Sequence, residues 1–286
     1  MVKEAMSLEP PFNPDDPAAL AQLLRWYAEM GVDLAIDAAP HDRFADSALP
    51  PGRPSAPAPA IKTLTRAAPR AEALAAPTSL STDVVAQSAR EAALSANSLE
   101  ELREKLLAFD GCGLKATATQ LVFADGNPEA KIMFVGEAPG ADEDRIGRPF
   151  VGRAGQLLDK MLAAIGLDRT RVYIANVVPW RPPGNRTPTP LETSACLPFT
   201  RRQIALVDPK ILICLGAAST QTLLATKDGI MRLRGRWLEY DGESGRIPAL
   251  AMLHPAYLLR QPAQKKLAWA DLRALAKKIE ALDIRT

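Results

Sequence analysis

The chain is poor in cysteine and histidine, since its 286 residues include three cysteines and two histidines. Three cysteines are too few, and odd in number, for the disulfide framework of a small secreted protein, so we expect free thiols or metal ligands. No run of about 18 apolar residues is present, and the first residues do not resemble a signal peptide. We therefore expect a soluble, cytoplasmic protein with no membrane partner, and we take it to be a monomer.

The net charge of +2 conceals an uneven distribution of charge along the chain. Residues 1–130 carry 11 basic and 18 acidic side chains, whereas residues 131–286 carry 24 basic and 15 acidic ones. A basic C-terminal half suits a polyanionic partner such as DNA, although a solvated basic surface explains this composition equally well.

Composition and periodicity divide the chain into three parts. Residues 1–38 contain apolar side chains at spacings of three and four from Leu20 to Met30, which predicts a helical extension. Residues 39–97 are rich in Pro and Ala and lack a hydrophobic period, so we expect a largely disordered linker. Residues 98–286 form the predicted folded domain, which opens with a helix because Ser98 and Glu101 have capping-box spacing.

Four short and nearly continuous apolar runs predict buried strands, at residues 131–138, 171–178, 210–216 and 247–255. Helical spacing lies between them at residues 153–166 and 191–207. Strands that alternate with helices indicate an α/β fold: a three-layer α/β/α sandwich with a central, mainly parallel four-stranded sheet. Functional groups are expected at the carboxyl ends of such strands.

Three of these strands end in polar or turn-forming residues, which we expect to converge on one site. They are the Gly136–Gly140 segment, Asn176, and His254 with its following proline. The glycine-rich loop after the first strand contains neither a GxxxxGK[ST] motif nor a GxGxxG motif, so we expect no nucleotide cofactor.

These segments, with two others, resemble the type-4 (family 4) uracil-DNA glycosylases. The matching blocks are Gly136–Gly140, the GRPFVG segment 147–152, Asn176 with the RPPGNR segment 181–186, and His254-Pro255. The similarity runs from about residue 105 to 278. It implies an enzyme that flips uracil out of DNA and hydrolyses its N-glycosidic bond, leaving an abasic site.

The resemblance also implies roles for residues around the uracil. Gly136 and Ala138 would line the pocket, Phe150 would form its floor, and Asn176 would pair with the imide edge of uracil, which cytosine does not present. As alternatives, Phe150 is a core residue and Asn176 a turn former. His254 would stabilise the uracil anion, because the other histidine, His41, lies in the linker.

Some relatives in the superfamily carry an aspartate where this chain has Ala138, so no acid at that position can activate water here. Glu137 is the candidate to position the attacking water or to act electrostatically. The cluster Asp142 to Asp144 is better explained as a solvated loop or a helix N-terminus than as a second base. DNA contacts are expected from a leucine wedge, for which Leu258 and Leu259 are equal candidates, and from phosphate-binding arginines. The arginines are Arg148, Arg153, Arg181, Arg186 and Arg260.

The cysteines depart from the family pattern. Type-4 enzymes carry four cysteines around an iron–sulfur cluster, and Cys112, Cys196 and Cys214 match three of them, but Phe109 occupies the position of the fourth. A [4Fe–4S] cluster is normally held by four cysteines. Two interpretations stay open: three buried thiols left by a lost cluster, or a cluster completed by another group such as Asp110.

Two other functions fit the same residues. The first is a non-catalytic binder of uracil-containing or abasic DNA on the same fold, and the second is an iron–sulfur protein that serves another nucleic-acid enzyme. Release of uracil from a DNA oligonucleotide distinguishes the glycosylase from both.

Overall fold

A computed structural model of the protein describes residues 82–284. The predicted N-terminal helical extension, and the predicted linker as far as residue 81, lie outside the described residues. Within residues 82–284, no helix is both long enough and apolar enough to cross a membrane.

The core of the domain is a six-stranded sheet. Its strands are β1 (Asp125–Gly126), β2 (Ile132–Gly136), β3 (Tyr173–Asn176), β4 (Ile211–Leu215), β5 (Trp237–Gly242) and β6 (Gly245–Met252). They lie in the order β1-β3-β2-β4-β6-β5. The four central strands are parallel, and the edge strands β1 and β5 pair antiparallel with β3 and β6. The four predicted strands and their parallel arrangement are confirmed.

The two antiparallel edge strands correct the prediction of a four-stranded sheet. Strand β5 joins β6 through a tight turn in which Gly242 pairs with Gly245, and Tyr240 is the only one of its six residues that is fully buried. A search for continuous apolar runs misses such a strand, because an edge strand is solvated along one side. Strand β1 has two residues, too few for any periodicity.

Nine α-helices surround the sheet in the described part of the chain. They are α1 (Thr82–Leu94), α2 (Leu99–Ala108), α3 (Ala141–Ile146), α4 (Arg153–Ala163), α5 (Pro190–Val207), α6 (Ala217–Leu223), α7 (Ile230–Leu233), α8 (Pro255–Arg260) and α9 (Lys265–Ala281). The predicted cap of α2 is present, because the Ser98 hydroxyl accepts a hydrogen bond of 3.1 Å from the Glu101 amide.

The helices cover both faces of the sheet, which confirms the three-layer sandwich. Side chains that alternate along β2 enter different cores: Met133 packs with residues of α1, α2 and α5, whereas Phe134 packs with residues of α4, α8 and α9. All five residues of β2 are buried. A strand covered on both faces has no polar face, which is why it appears as a continuous apolar run.

Helix α1 shows that the boundary predicted for the linker at residue 97 is wrong. Val85, Ala89 and Ala93 recur every fourth residue and are buried in the core shared with α2 and α5. Alanine is the strongest helix former and allows close packing, but its abundance also resembles the composition of the Ala-rich segment before it. The folded region therefore begins at least as early as Thr82.

The parallel strands bring the predicted site residues to one edge of the sheet. Gly136 and Asn176 are register partners at the ends of β2 and β3. The amide of Gly216, which follows β4, donates to the carbonyl of Met252 at the end of β6, two residues before His254. The predicted convergence of these strand ends is confirmed.

Candidate active site

A cavity of 760 Å³ opens at the carboxyl edge of the parallel strands. It is lined by side chains from the loops that follow β2, β3 and β6, among them Glu137, Ala138, Phe150, Asn176, His254 and Arg260. Its volume suits a small organic ligand such as a nucleobase with its sugar.

Asn176 provides an unpaired polar atom at the base of this cavity. The residue is 4% exposed, and its Oδ1 is the only buried side-chain oxygen or nitrogen without a hydrogen-bond partner among the described residues. A buried acceptor left without a donor costs about 1–3 kcal/mol. The Oδ1 atom caps no helix and closes no turn, so a ligand that brings an N–H group would satisfy it.

Gly136 is buried and does not line the cavity, contrary to the expectation from the sequence, but it packs against Asn176 and Phe150, which do line it. A Cβ atom on residue 136 would clash with both the Asn176 Oδ1 atom and the Phe150 ring, so glycine is required here. Phe150 is 5% exposed and packs in the core, yet it also lines the cavity, and its ring centroid lies 5.5 Å from that of His254. The two interpretations of Phe150 are therefore compatible.

His254 is the N-cap of α8, and its Nδ1 atom accepts a hydrogen bond of 3.1 Å from the Ala256 amide. Burial, with a smaller contribution from the Arg260 charge, lowers the pKa of His254 to about 4. The ring is therefore neutral at pH 7. Because Nδ1 accepts, the single proton resides on Nε2, which makes His254 a neutral hydrogen-bond donor beside the cavity.

Glu137 follows β2 directly and lines the same cavity. Burial raises the pKa of the Glu137 carboxyl, and a hydrogen bond from the Thr187 hydroxyl opposes part of this shift. A partly desolvated carboxylate beside the cavity can orient a water molecule and accept its proton.

The neighbouring acidic cluster has a structural role at the start of α3. The Glu143 carboxylate accepts hydrogen bonds from the amides of Gly152 at 2.8 Å and Gly140 at 3.2 Å. The Asp144 carboxylate accepts from the amide and hydroxyl of Thr119 at 2.8 Å and 2.7 Å. The cluster therefore forms a helix N-terminus that fixes two loops.

The predicted DNA-binding residues differ in their positions. Arg186 and Arg260 line the cavity, and Arg186 forms a bidentate ion pair with Glu192 that lowers the pKa of this carboxyl to about 2. The other three arginines lie outside the lining of the cavity: Arg148, Arg153 and Arg181. The Arg148 side chain is 60% exposed, and Arg153 is exposed at the start of α4.

The structure separates the two leucines proposed as a wedge. Leu258 is 1% exposed and packs in the core with α4 and α9, which contradicts its prediction as a DNA contact. Leu259 is partly exposed on α8. Successive residues of a helix point in directions about 100° apart, and on α8 it is Leu258 that faces the core while Leu259 faces partly toward solvent.

Some residues at the site were missing from the sequence prediction. Met231 lines the cavity and is 54% exposed, and Ala217 and Ala218 line it from the start of α6. The Arg169 guanidinium donates a hydrogen bond to the backbone carbonyl of Phe150. None of these residues belongs to a motif block, and each reaches the site through folding of distant segments.

The three cysteines do not fit an iron–sulfur cluster. All are buried, and the sulfur atoms of Cys112 and Cys196 lie 3.6 Å apart. Phe109, at the fourth position, packs on Phe199 with ring centroids 5.1 Å apart, while Asp110 is exposed and paired with Lys115 at 2.6 Å. Within residues 82–284, no three His, Cys, Asp or Glu residues form a group suited to a metal.

Comparison with known proteins agrees with this geometry. The family described as the uracil DNA glycosylase superfamily matches residues 123–273. Type-4 uracil-DNA glycosylases of Archaeoglobus fulgidus and Sulfurisphaera tokodaii are 39% and 40% identical to the chain, each over 63% of it, and the matches cover 92% and 84% of those proteins. The type-4 uracil-DNA glycosylase of Thermotoga maritima is 42% identical over 57% of the chain and 83% of its own length.

The chain therefore belongs to the uracil DNA glycosylase superfamily, and within it to the type-4 group. The resemblance predicted from the four motif blocks is confirmed. The matched residues 123–273 include the carboxyl-edge cavity with Glu137, Asn176 and His254.

Proposed function

We propose that the protein removes uracil from DNA by hydrolysing the N-glycosidic bond, and that the carboxyl-edge cavity holds the flipped base. The observation that carries this proposal is the unpaired, buried Oδ1 atom of Asn176. This atom has no donor within the described residues, and the N3–H group of uracil would supply one. Thymine shares this edge but carries a methyl group at C5, and cytosine carries an acceptor at N3.

His254 stabilises the leaving base in this mechanism. Cleavage moves the electron pair of the C1′–N1 bond onto uracil, and the charge collects partly on O2. The Nε2–H group of a neutral imidazole donates to this oxygen, an interaction that strengthens as the charge develops. The hydrogen bond between Nδ1 and the Ala256 amide supports this role, because it sets the tautomer and the ring orientation.

Glu137 directs the water that completes the reaction. The oxygen of water bonds to C1′ as the C1′–N1 bond breaks, and one proton of that water passes to the carboxylate. The departing uracil anion takes up a proton from solvent, and Glu137 returns its proton to solvent, so that one water is consumed in total. Burial raises the pKa of Glu137, which makes it a stronger base than an exposed carboxylate. Reaction through Glu137 requires the ionised form, so we expect the rate to fall with decreasing pH as this group is protonated.

The exposed arginines and Leu259 act on the DNA. Arg260 lies at the cavity and would contact the phosphates that flank the flipped nucleotide, and Arg148 and Arg153 would contact more distant phosphates. Leu259 would fill the space that the base vacates. Arg186 is already neutralised by Glu192, so we expect a smaller contribution from it.

No cofactor enters this mechanism. The chain lacks the nucleotide-binding motifs, and its cysteines do not provide a four-ligand site, so Cys112, Cys196 and Cys214 are proposed to be core thiols.

We further propose that the catalytic domain begins at α1 rather than at residue 98. Its cytoplasmic location and monomeric state stay predictions, the second of which size-exclusion chromatography tests.

The function is tested with a labelled oligonucleotide that contains one uracil, followed by alkaline cleavage of abasic sites. We expect a strand break at the uracil, and none in matched oligonucleotides with thymine or cytosine at that position. Binding of the uracil-containing DNA without release of the base would instead show the non-catalytic binder.

A further inference from the structure

The backbone of Phe150 adopts a conformation that an aromatic residue rarely adopts. Its φ angle is +55°, in the left-handed region, where the Cβ atom of an L-residue crowds the backbone. This conformation persists only when surrounding contacts hold it. The ring lies between the end of β2 and His254, at the floor of the cavity, so the strained backbone determines where the floor is.

Arg169 supplies those contacts. It lies in a short 3-10 helix, Arg169–Arg171, before β3, and its guanidinium donates to two successive carbonyl oxygens, those of Phe150 and of Pro149, the second at 3.1 Å. Gly155 leaves room for this arrangement, because a Cβ atom there would overlap the Phe150 carbonyl.

Two carboxylates hold the Arg169 guanidinium in turn. Asp125 of β1 accepts from Nη1 at 2.5 Å, and Asp159 of α4 accepts from Nε at 2.8 Å. The Arg169 side chain is 23% exposed, so it is not free to bind DNA phosphates. A planar guanidinium with fixed donors can bind two carbonyls and two carboxylates at once, which a lysine ammonium cannot do.

We propose that Arg169 is a positioning residue that holds Phe150 in the conformation needed beneath the flipped uracil. This inference rests on the proposed function of the cavity and extends it to a residue without contact to the substrate. It also assigns a function to the two-residue strand β1, since Asp125 anchors the guanidinium from the edge of the sheet.

The test is a double-mutant cycle with single-turnover rates of uracil release as the measurement. We expect Arg169→Gln to slow release by roughly 100-fold, the effect of a misplacement of about 1 Å at a site. Combined with Phe150→Ala, the same change should cost less than about three-fold further, because residues that act through each other are not additive. A general structural role would give the same loss in both backgrounds.

Arg171→Gln is the matched control, since Arg171 lies in the same 3-10 helix and is exposed. Its rate should stay within about two-fold of the parent, as for other surface changes. If Arg169→Gln does not fold, Arg169→Lys replaces it in the cycle, with a smaller loss expected in the parent and none in Phe150→Ala. Equal losses in the two backgrounds, or no loss in the parent, would overturn the inference. A parent protein that releases no uracil would instead overturn the proposed function.

Discussion

His254 has two roles in the structure: it caps the N-terminus of α8, and it offers a hydrogen-bond donor to the cavity. Replacing this residue allows the effects of the two roles to be measured separately. Removing one oxyanion donor typically slows a reaction about 100- to 1,000-fold, or about 2.7–4 kcal/mol of transition-state stabilisation. Loss of an N-cap costs about 0.5–2 kcal/mol of folding stability. His254→Ala should therefore show both effects, because Nδ1 accepts from Ala256 while Nε2–H is available to a ligand.

His254→Asn is the matched variant, because its side-chain oxygen can accept from the same amide at the start of α8. We expect its melting temperature to stay near that of the parent, while its rate falls nearly as far as that of His254→Ala, since the shorter side chain cannot reach the uracil O2 atom. Single-turnover release of uracil measures the rate, and thermal unfolding measures the cap.

Affinity provides a third measurement on the same two variants. Binding of uracil-containing DNA, followed by fluorescence anisotropy, should change little, because phosphate contacts dominate affinity and the His254 interaction develops mainly in the transition state. If folded His254→Asn releases uracil at the parental rate, the role given to His254 is wrong. Glu137 and the charges of the DNA would then have to stabilise the transition state without it.

Three further predictions follow from individual side chains. Asn176→Asp should weaken discrimination between uracil and cytosine, measured as the ratio of release rates, because a carboxylate donates nothing to uracil O4. Leu259→Ala should reduce release from duplex DNA more than from single strands at unchanged stability, whereas Leu258→Ala should cost about 2–5 kcal/mol in urea unfolding; the opposite assignment would reverse these results. The pKa of His254 is about 4 in the folded protein and ordinarily 6.5, so the unfolded chain binds more protons between these values. The parent should therefore lose about 3 kcal/mol of folding stability as pH falls through this window, and His254→Asn should lose correspondingly less.

Local patterns in the sequence were sufficient for the central strands and for the residues at their ends. A strand buried on both faces appears as a continuous apolar run, and the ends of parallel strands meet at one edge in any such fold. Gly136, Asn176 and His254 could therefore be assigned to one site from the sequence alone. The cap of α2 was equally predictable, because Ser98 and Glu101 interact within one turn.

Contacts between distant segments decided the rest. The sequence could not distinguish Leu258 from Leu259, because the choice depends on how α8 rotates against α4 and α9. The neutral state of His254 results from burial, which is a property of the folded cavity. The link between Arg169 and Phe150 joins residues 19 positions apart and is anchored by Asp125 on an edge strand that no periodicity could reveal. Each of these features depends on a neighbour supplied by the tertiary structure, and a pattern confined to one segment carries no information about that neighbour.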